Sequence, residues 1–145
     1  MAIIPPFNGG YCCGQLNIWA PEKTIYLQED SSAILSPRLF REFLLPFHER
    51  IAGLAPHFSA MHTHASSIHV LREVLTNKNL KCVQIDIEPE GLKTKDLIRD
   101  FQAVQESGKC LMVQGDISDE ETELLYKELS PEGLCIFIVR GFGQK

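Results

Sequence analysis

The chain has 145 residues, 44% of them apolar and 23% charged, which is enough for one domain with a real core. A net charge of −5 with no basic stripe argues against nucleic acid as a main partner. No run approaches membrane-spanning length, and Met-Ala-Ile-Ile-Pro-Pro is not a secretory leader, so a cytoplasmic location off the membrane is expected.

Residues 1–23 carry Pro5, Pro6, Gly9, Gly10, Gly14 and Pro21 and read as an irregular lead-in, with Trp19 packing on the body. Thr24 to Asp30 reads as a strand ending in acid. Ser36 is a good helix N-cap and Pro37 a good first helical residue. Phe40, Phe43, Leu44, Phe47 and Ile51 then recur at helical spacing and read as core, with Pro46 expected to kink or split the helix. Phe58 opens an apolar run that reads as a buried strand and passes through a polar corner into a helix with Ile68, Leu71, Val74 and Leu75 on one face.

Lys81 to Glu88 is the next strand, and Pro89-Glu-Gly91 a turn. Thr94 begins a helix whose Leu97, Ile98, Phe101 and Val104 share a face, and Gly108 stops it. Cys110 to Ile117 is a buried strand. Ser118-Asp-Glu-Glu121 is a capping box opening a helix with Leu124, Leu125 and Leu129 inward. Gly133 to Gly141 is the last strand. The order is five strands alternating with four helices, and the later strands are near-continuous apolar runs, as parallel strands covered on both faces require. Cys82, Cys110 and Cys135 lie in such runs and read as buried, reduced thiols. Cys12 and Cys13 are adjacent, which is not a zinc spacing, and read as ordinary thiols. Two architectures fit: an open doubly wound sheet, or about half of a (β/α)8 barrel, whose full form needs roughly 250 residues.

In either fold, chemistry gathers at the carboxyl ends of the strands. Those ends carry Asp30, His62 and His64, Asp86 and Glu88, Gln114 and Asp116, and Arg140. Residues i and i+2 of a strand face the same side, so His62 and His64 share one space. They serve as metal ligands or a clamp for a substrate carboxylate, or else cap the following helix. Two histidines and one carboxylate, from His62, His64 and Asp30 or Asp86, suit zinc with one open position. Asp30 alternatively caps the corner that follows it. Glu88 reads as a solvated rim charge. Arg140 is a candidate for a substrate carboxylate, or a surface ion pair. His48, His57 and His69 read as structural or exposed.

Asp30-Ser-Ser-Ala-Ile-Leu-Ser-Pro-Arg-Leu-Phe-Arg-Glu-Phe-Leu-Leu-Pro-Phe, Met-His62-Thr-His64 and Ile85-Asp86-Ile-Glu88 together resemble the C-terminal half of the uroporphyrinogen decarboxylase superfamily, from about Trp19 onward. The resemblance implies a (β/α)8 barrel wall, a single domain over 1–145 and missing strands ahead of Met1. It implies one of two activities. The first is a cofactor-free lyase removing CO2 from the carboxylated side chains of tetrapyrroles, with Asp30 and Asp86 as catalytic carboxylates and His64, Gln114 and Arg140 holding substrate. The second is a zinc-dependent methyltransferase between corrinoid proteins and thiols, with His62 and His64 on the metal. The chain departs from both patterns: Asp30 stands where the decarboxylases have serine, His64 stands where the methyltransferases have their first zinc-binding cysteine, and Arg140-Gly141 occupies the region of their second. A third reading is an inactive fragment, or a half-barrel that pairs with itself or with a separate half. The partner expected under either enzymatic reading is a small-molecule substrate.

Overall fold

The computed structural model describes residues 8–13, 16 and 18–139. Five parallel strands form one sheet: β3 (Thr24–Gln28), β4 (Phe58–His64), β5 (Cys82–Ile87), β6 (Cys110–Gly115) and β7 (Leu134–Ile138). Their spatial order is their chain order, β3-β4-β5-β6-β7. A doubly wound sheet reverses direction at a switch point; this one does not. Right-handed crossovers in one direction put every helix on the same face, which is the topology of a barrel wall.

The two faces are built from alternating residues. Met61, Val83, Ile85, Leu111 and Val113 point to the helix side, where they meet Phe40, Leu71, Leu97, Phe101, Val104 and Leu125 in the main core. Burying each such side chain is worth about 1.5–3 kcal/mol, so this layer supplies most of the drive to fold. The concave face carries Ala60, Cys82 and Met112 toward the N-terminal ends of the strands. In the same alternation, His62, His64, Gln84, Asp86 and Gln114 follow toward the C-terminal ends.

The lead-in is not irregular throughout. β1 (Tyr11–Cys13) and β2 (Ile18–Ala20) form an antiparallel hairpin. Leu16, Cys13 and Ile18 pack onto Ala60, Cys82, Met112 and Tyr26, covering the lower part of the concave face. Trp19, expected against the body, is 49% exposed. It lies over Gly10 of the hairpin itself, where a Cβ would sit 2.5 Å from the indole.

Between β3 and β4 runs a helix in three parts: α1 (Pro37–Leu39), a π-helical turn (Phe40–Leu44) and α2 (Leu45–Ala52). Ser36 Oγ accepts from the Leu39 N–H at 3.3 Å, the cap read from the sequence. Pro46 does not end the run, which changes from π to α helix one residue before it. Its ring crowds the carbonyl of residue 42 and it has no N–H, and the widened π turn just before it takes up the strain. The expected core face needs correction. Phe40, Leu45, His48 and Ala52 are buried and Leu44 partly so, whereas Phe43, Phe47 and Ile51 are exposed.

The later units follow expectation in kind and order, except that Ile68 precedes the α-helix and the last strand ends at Ile138, with residues 140 and 141 of its expected range outside the described residues. After β4 comes a 3₁₀ stretch (Ala65–Val70) and the short α3 (Leu71–Leu75). α4 (Thr94–Glu106) ends at Gly108, whose φ of +75° is one that glycine adopts at little cost. α5 (Asp119–Glu128) opens on the Ser118–Glu121 capping box. Cys82 is buried as expected, but Cys110 and Cys135 are exposed. They share the concave face with Cys82, beyond the hairpin's cover. No helix among the described residues is long and apolar enough to cross a membrane.

Candidate metal centre

β4 ends at His64, and its pleat turns both histidines to the concave rim: His62 buried, His64 partly so. Gln28 of β3 is the register partner of His62, so the chain two residues on brings Asp30 beside His64. The 3₁₀ turn Asp30–Ile34 starts here, but Asp30 does not cap it; Gln28 Nε2 donates to Asp30 Oδ2 at 3.0 Å and Oδ1 faces the imidazoles.

His62 Nε2 and His64 Nε2 are 3.1 Å apart, with the rings nearly perpendicular at 86°. Asp30 Oδ1 lies 3.4 Å from His64 Nε2 and 3.9 Å from His62 Nε2. Ligand atoms 2.0–2.2 Å from a tetrahedral zinc ion stand roughly 3.3–3.6 Å from one another. The three spacings bracket that range without rearrangement. Asp30, His62 and His64 are the group of this kind among the described residues.

The outer nitrogens explain why these atoms face each other. Gln84 Nε2 donates to Gln114 Oε1 at 2.6 Å, which leaves Gln84 Oε1 to accept from His62 Nδ1 at 2.8 Å. His64 Nδ1 lies 3.3 Å from Glu88 Oε1, and a carboxylate can only accept. With protons on both Nδ1 atoms, both Nε2 atoms present lone pairs toward the Asp30 carboxylate. In that tautomeric state three acceptors converge on one point, an arrangement that favours a cation between them. The arrangement of first ligand plus outer acceptor is the one that orients histidines on metals.

Two further residues support this network. Tyr26 OH donates to Gln84 Oε1 at 3.4 Å. Burial, then the nearby Cys13, Asp30 and Asp86, push its hydroxyl up to about 12, so it stays a donor across the physiological range. Ser66 Oγ donates to Glu88 Oε1 at 2.7 Å and holds that carboxylate beside His64.

The other expected residues fall around this point. Asp86 is on the same face, in register between His64 and Gln114, but outside the converging triad. Gln114 holds Gln84 rather than standing free at the rim. Arg140 lies outside the described residues. Glu88, read as a solvated charge, is instead the outer partner of His64. Gln84 and Tyr26 were not singled out from the sequence; their signal was parity, since Gln84 alternates with Asp86 and Glu88, and Tyr26 with Gln28 and Asp30. Nor was Glu29, which bonds the buried His48 Nε2 at 2.9 Å on the helix side of the same strand end. His57 pairs with Glu22 at the surface and His69 Nε2 lies 2.8 Å from the Leu35 carbonyl, both consistent with structural roles.

No protein-family model, curated protein or solved structure matches the chain.

Proposed function

We propose that this half-barrel wall is the zinc-binding part of a thiol-directed methyltransferase, of the kind the resemblance to the uroporphyrinogen decarboxylase superfamily implies. One observation supports the reading above all: Asp30, His62 and His64 bring three ligand atoms within 4.8 Å of one another at the carboxyl ends of two neighbouring strands. His62 and His64 would hold the ion through Nε2, and Asp30 through a carboxylate oxygen. Zinc held there would supply a Lewis acid that favours the thiolate form of a thiol substrate at neutral pH. Gln84 and Glu88 fix the ring orientation, and Gln114 and Tyr26 fix Gln84. With His64 in place of the family's first cysteine and Asp30, from a different strand end, as third ligand, the donor set is harder than the family's histidine and two cysteines, and zinc accepts both kinds.

The decarboxylase reading has weaker support. It asks for cationic or neutral donors to clamp several carboxylates, and the rim described here is made of imidazoles, amides and the carboxylates of Asp30, Asp86 and Glu88.

The test is direct. Titrated with zinc or cobalt(II), the purified chain is expected to take up one equivalent, with the visible absorption of tetrahedral cobalt. His62→Ala and Asp30→Ala are each expected to weaken uptake by at least about tenfold. Failure to bind either metal stoichiometrically, or uptake indifferent to His62→Ala, removes the proposal.

A further inference from the structure

The helix between β3 and β4 has two apolar sides. Phe40, Leu45, His48 and Ala52 face the sheet. One residue out of phase, Phe43, Phe47, Ile51 and Leu54 recur at steps of four, four and three, and they are 56%, 58%, 41% and 74% exposed. A run of large side chains at helical spacing is a continuous apolar stripe rather than scattered surface residues. Grooves lie on either side of its C-terminal end. One of about 260 Å³ is bordered by Phe47, Arg50, Ile51 and Leu54. Another of about 370 Å³ lies between Leu54 and the hairpin side, at Tyr11, Pro21 and Pro56.

We infer that this stripe docks a second copy of the chain, with the two helices antiparallel about a two-fold axis near Phe47. The charges beside the stripe select this occupant. Glu42 and Arg50 are both exposed, and neither has an ion-pair partner among the described residues. They are eight residues apart, with their midpoint at Pro46. Apposed antiparallel about that point, each Glu42 comes opposite the second copy's Arg50. An axis one residue further along, at Phe47, sets Phe43 against the second copy's Ile51 and brings the two Phe47 side chains together, and it leaves Glu42 and the second copy's Arg50 only about 3 Å out of step along the helices, within an arginine's reach. A parallel pairing sets each Glu42 level with the second copy's Glu42 and eight residues, about 12 Å, from its Arg50, so no Glu42–Arg50 pair forms. The patch is thus complementary to itself in one orientation, as a two-fold interface must be. The grooves beside Leu54 leave room for the incoming side chains.

The experiment is sedimentation of the whole chain over a range of concentrations. The wild type is expected to be a dimer. Phe47→Glu is expected to raise the dissociation constant at least about thirtyfold, the loss typical of a central anchor. Arg50→Glu and Glu42→Arg should each weaken the dimer, and the double exchange should restore it. Phe47 is exposed, so the far-ultraviolet circular dichroism and melting profile of its variant should match those of the wild-type monomer. A wild type that stays monomeric throughout overturns the inference. So does a dimer untouched by Phe47→Glu, or one lost instead on Phe137→Glu at the β7 edge. Failure of the double charge exchange to restore association overturns the antiparallel register.

Discussion

His62 and His64 meet through Nε2, 3.1 Å apart, while their Nδ1 atoms are turned away to Gln84 and Glu88. Both rings turn Nε2 inward, toward the Asp30 carboxylate. The outer partners set this orientation, and the Asp30 carboxylate beside them completes a site that favours a cation.

The outer partners can therefore be tested without touching a ligand. Gln84→Leu removes the acceptor for His62 Nδ1 and leaves its N–H buried, since Gln84 and His62 are both buried. The ring loses its fixed orientation and tautomer. Zinc affinity is expected to fall about 10–100-fold. Gln84→Glu, which keeps an acceptor in place, should retain much more of it. Isothermal titration of both variants reads the difference.

Arg41 grips Glu73 by two bonds, Nε to Oε2 at 2.7 Å and Nη2 to Oε1 at 2.5 Å. The Arg41 hydrogen bond holds the Glu73 carboxyl below its ordinary 4.5, against the opposing effect of burial. A carboxyl lowered in the folded state adds stability above its unfolded pKa, and that stability is lost as pH falls through the folded value. Arg41→Gln is therefore expected to be less stable than wild type at pH 7. The gap should narrow as pH drops below about 4.5 and close in stronger acid. Urea unfolding at a series of pH values measures the gap; a gap that widens in acid would contradict the assignment.

The thiols divide by exposure rather than by the apolar runs they sit in. Burial, with a smaller effect from Cys110 and Cys135, pushes the Cys82 thiol up to about 12, so it has almost no thiolate at pH 8. Cys12, Cys110 and Cys135 are exposed. A disulfide-exchange reagent at pH 8 is expected to label those three promptly and Cys82 only on unfolding. Peptide mass analysis of briefly labelled protein checks it.

How much of this was legible before folding depended on distance along the chain. The shared side of His62 and His64 follows from a strand's period of two and needs nothing else. The Ser36 cap, the Ser118–Glu121 box and the Gly108 stop are likewise local, set by a few neighbouring residues. Glu88 was misread because its partners, His64 and Ser66, lie more than twenty residues away, and a carboxylate at a strand end looks solvated until they arrive. Phe43, Phe47 and Ile51 were misread for a different reason. Helical spacing defines a stripe but not which stripe faces inward, and the π turn at Phe40–Leu44 shifts the phase within this helix. Cys110 and Cys135 sit on strands that are apolar on both faces, so alternation could not say which side the hairpin would leave open.

The sequence by itself determined the alternating strands and helices from Thr24 onward, their order and the pair of histidines, because hydrogen-bonded backbone periods and caps act over a few residues. Only the tertiary structure decided that the strands lie in chain order with every helix on one face, that Asp30 meets His62 and His64, and that Gln84 and Glu88 orient them. Those outcomes depend on strand register and on which face the hairpin covers, and both are settled by packing between segments far apart in the chain.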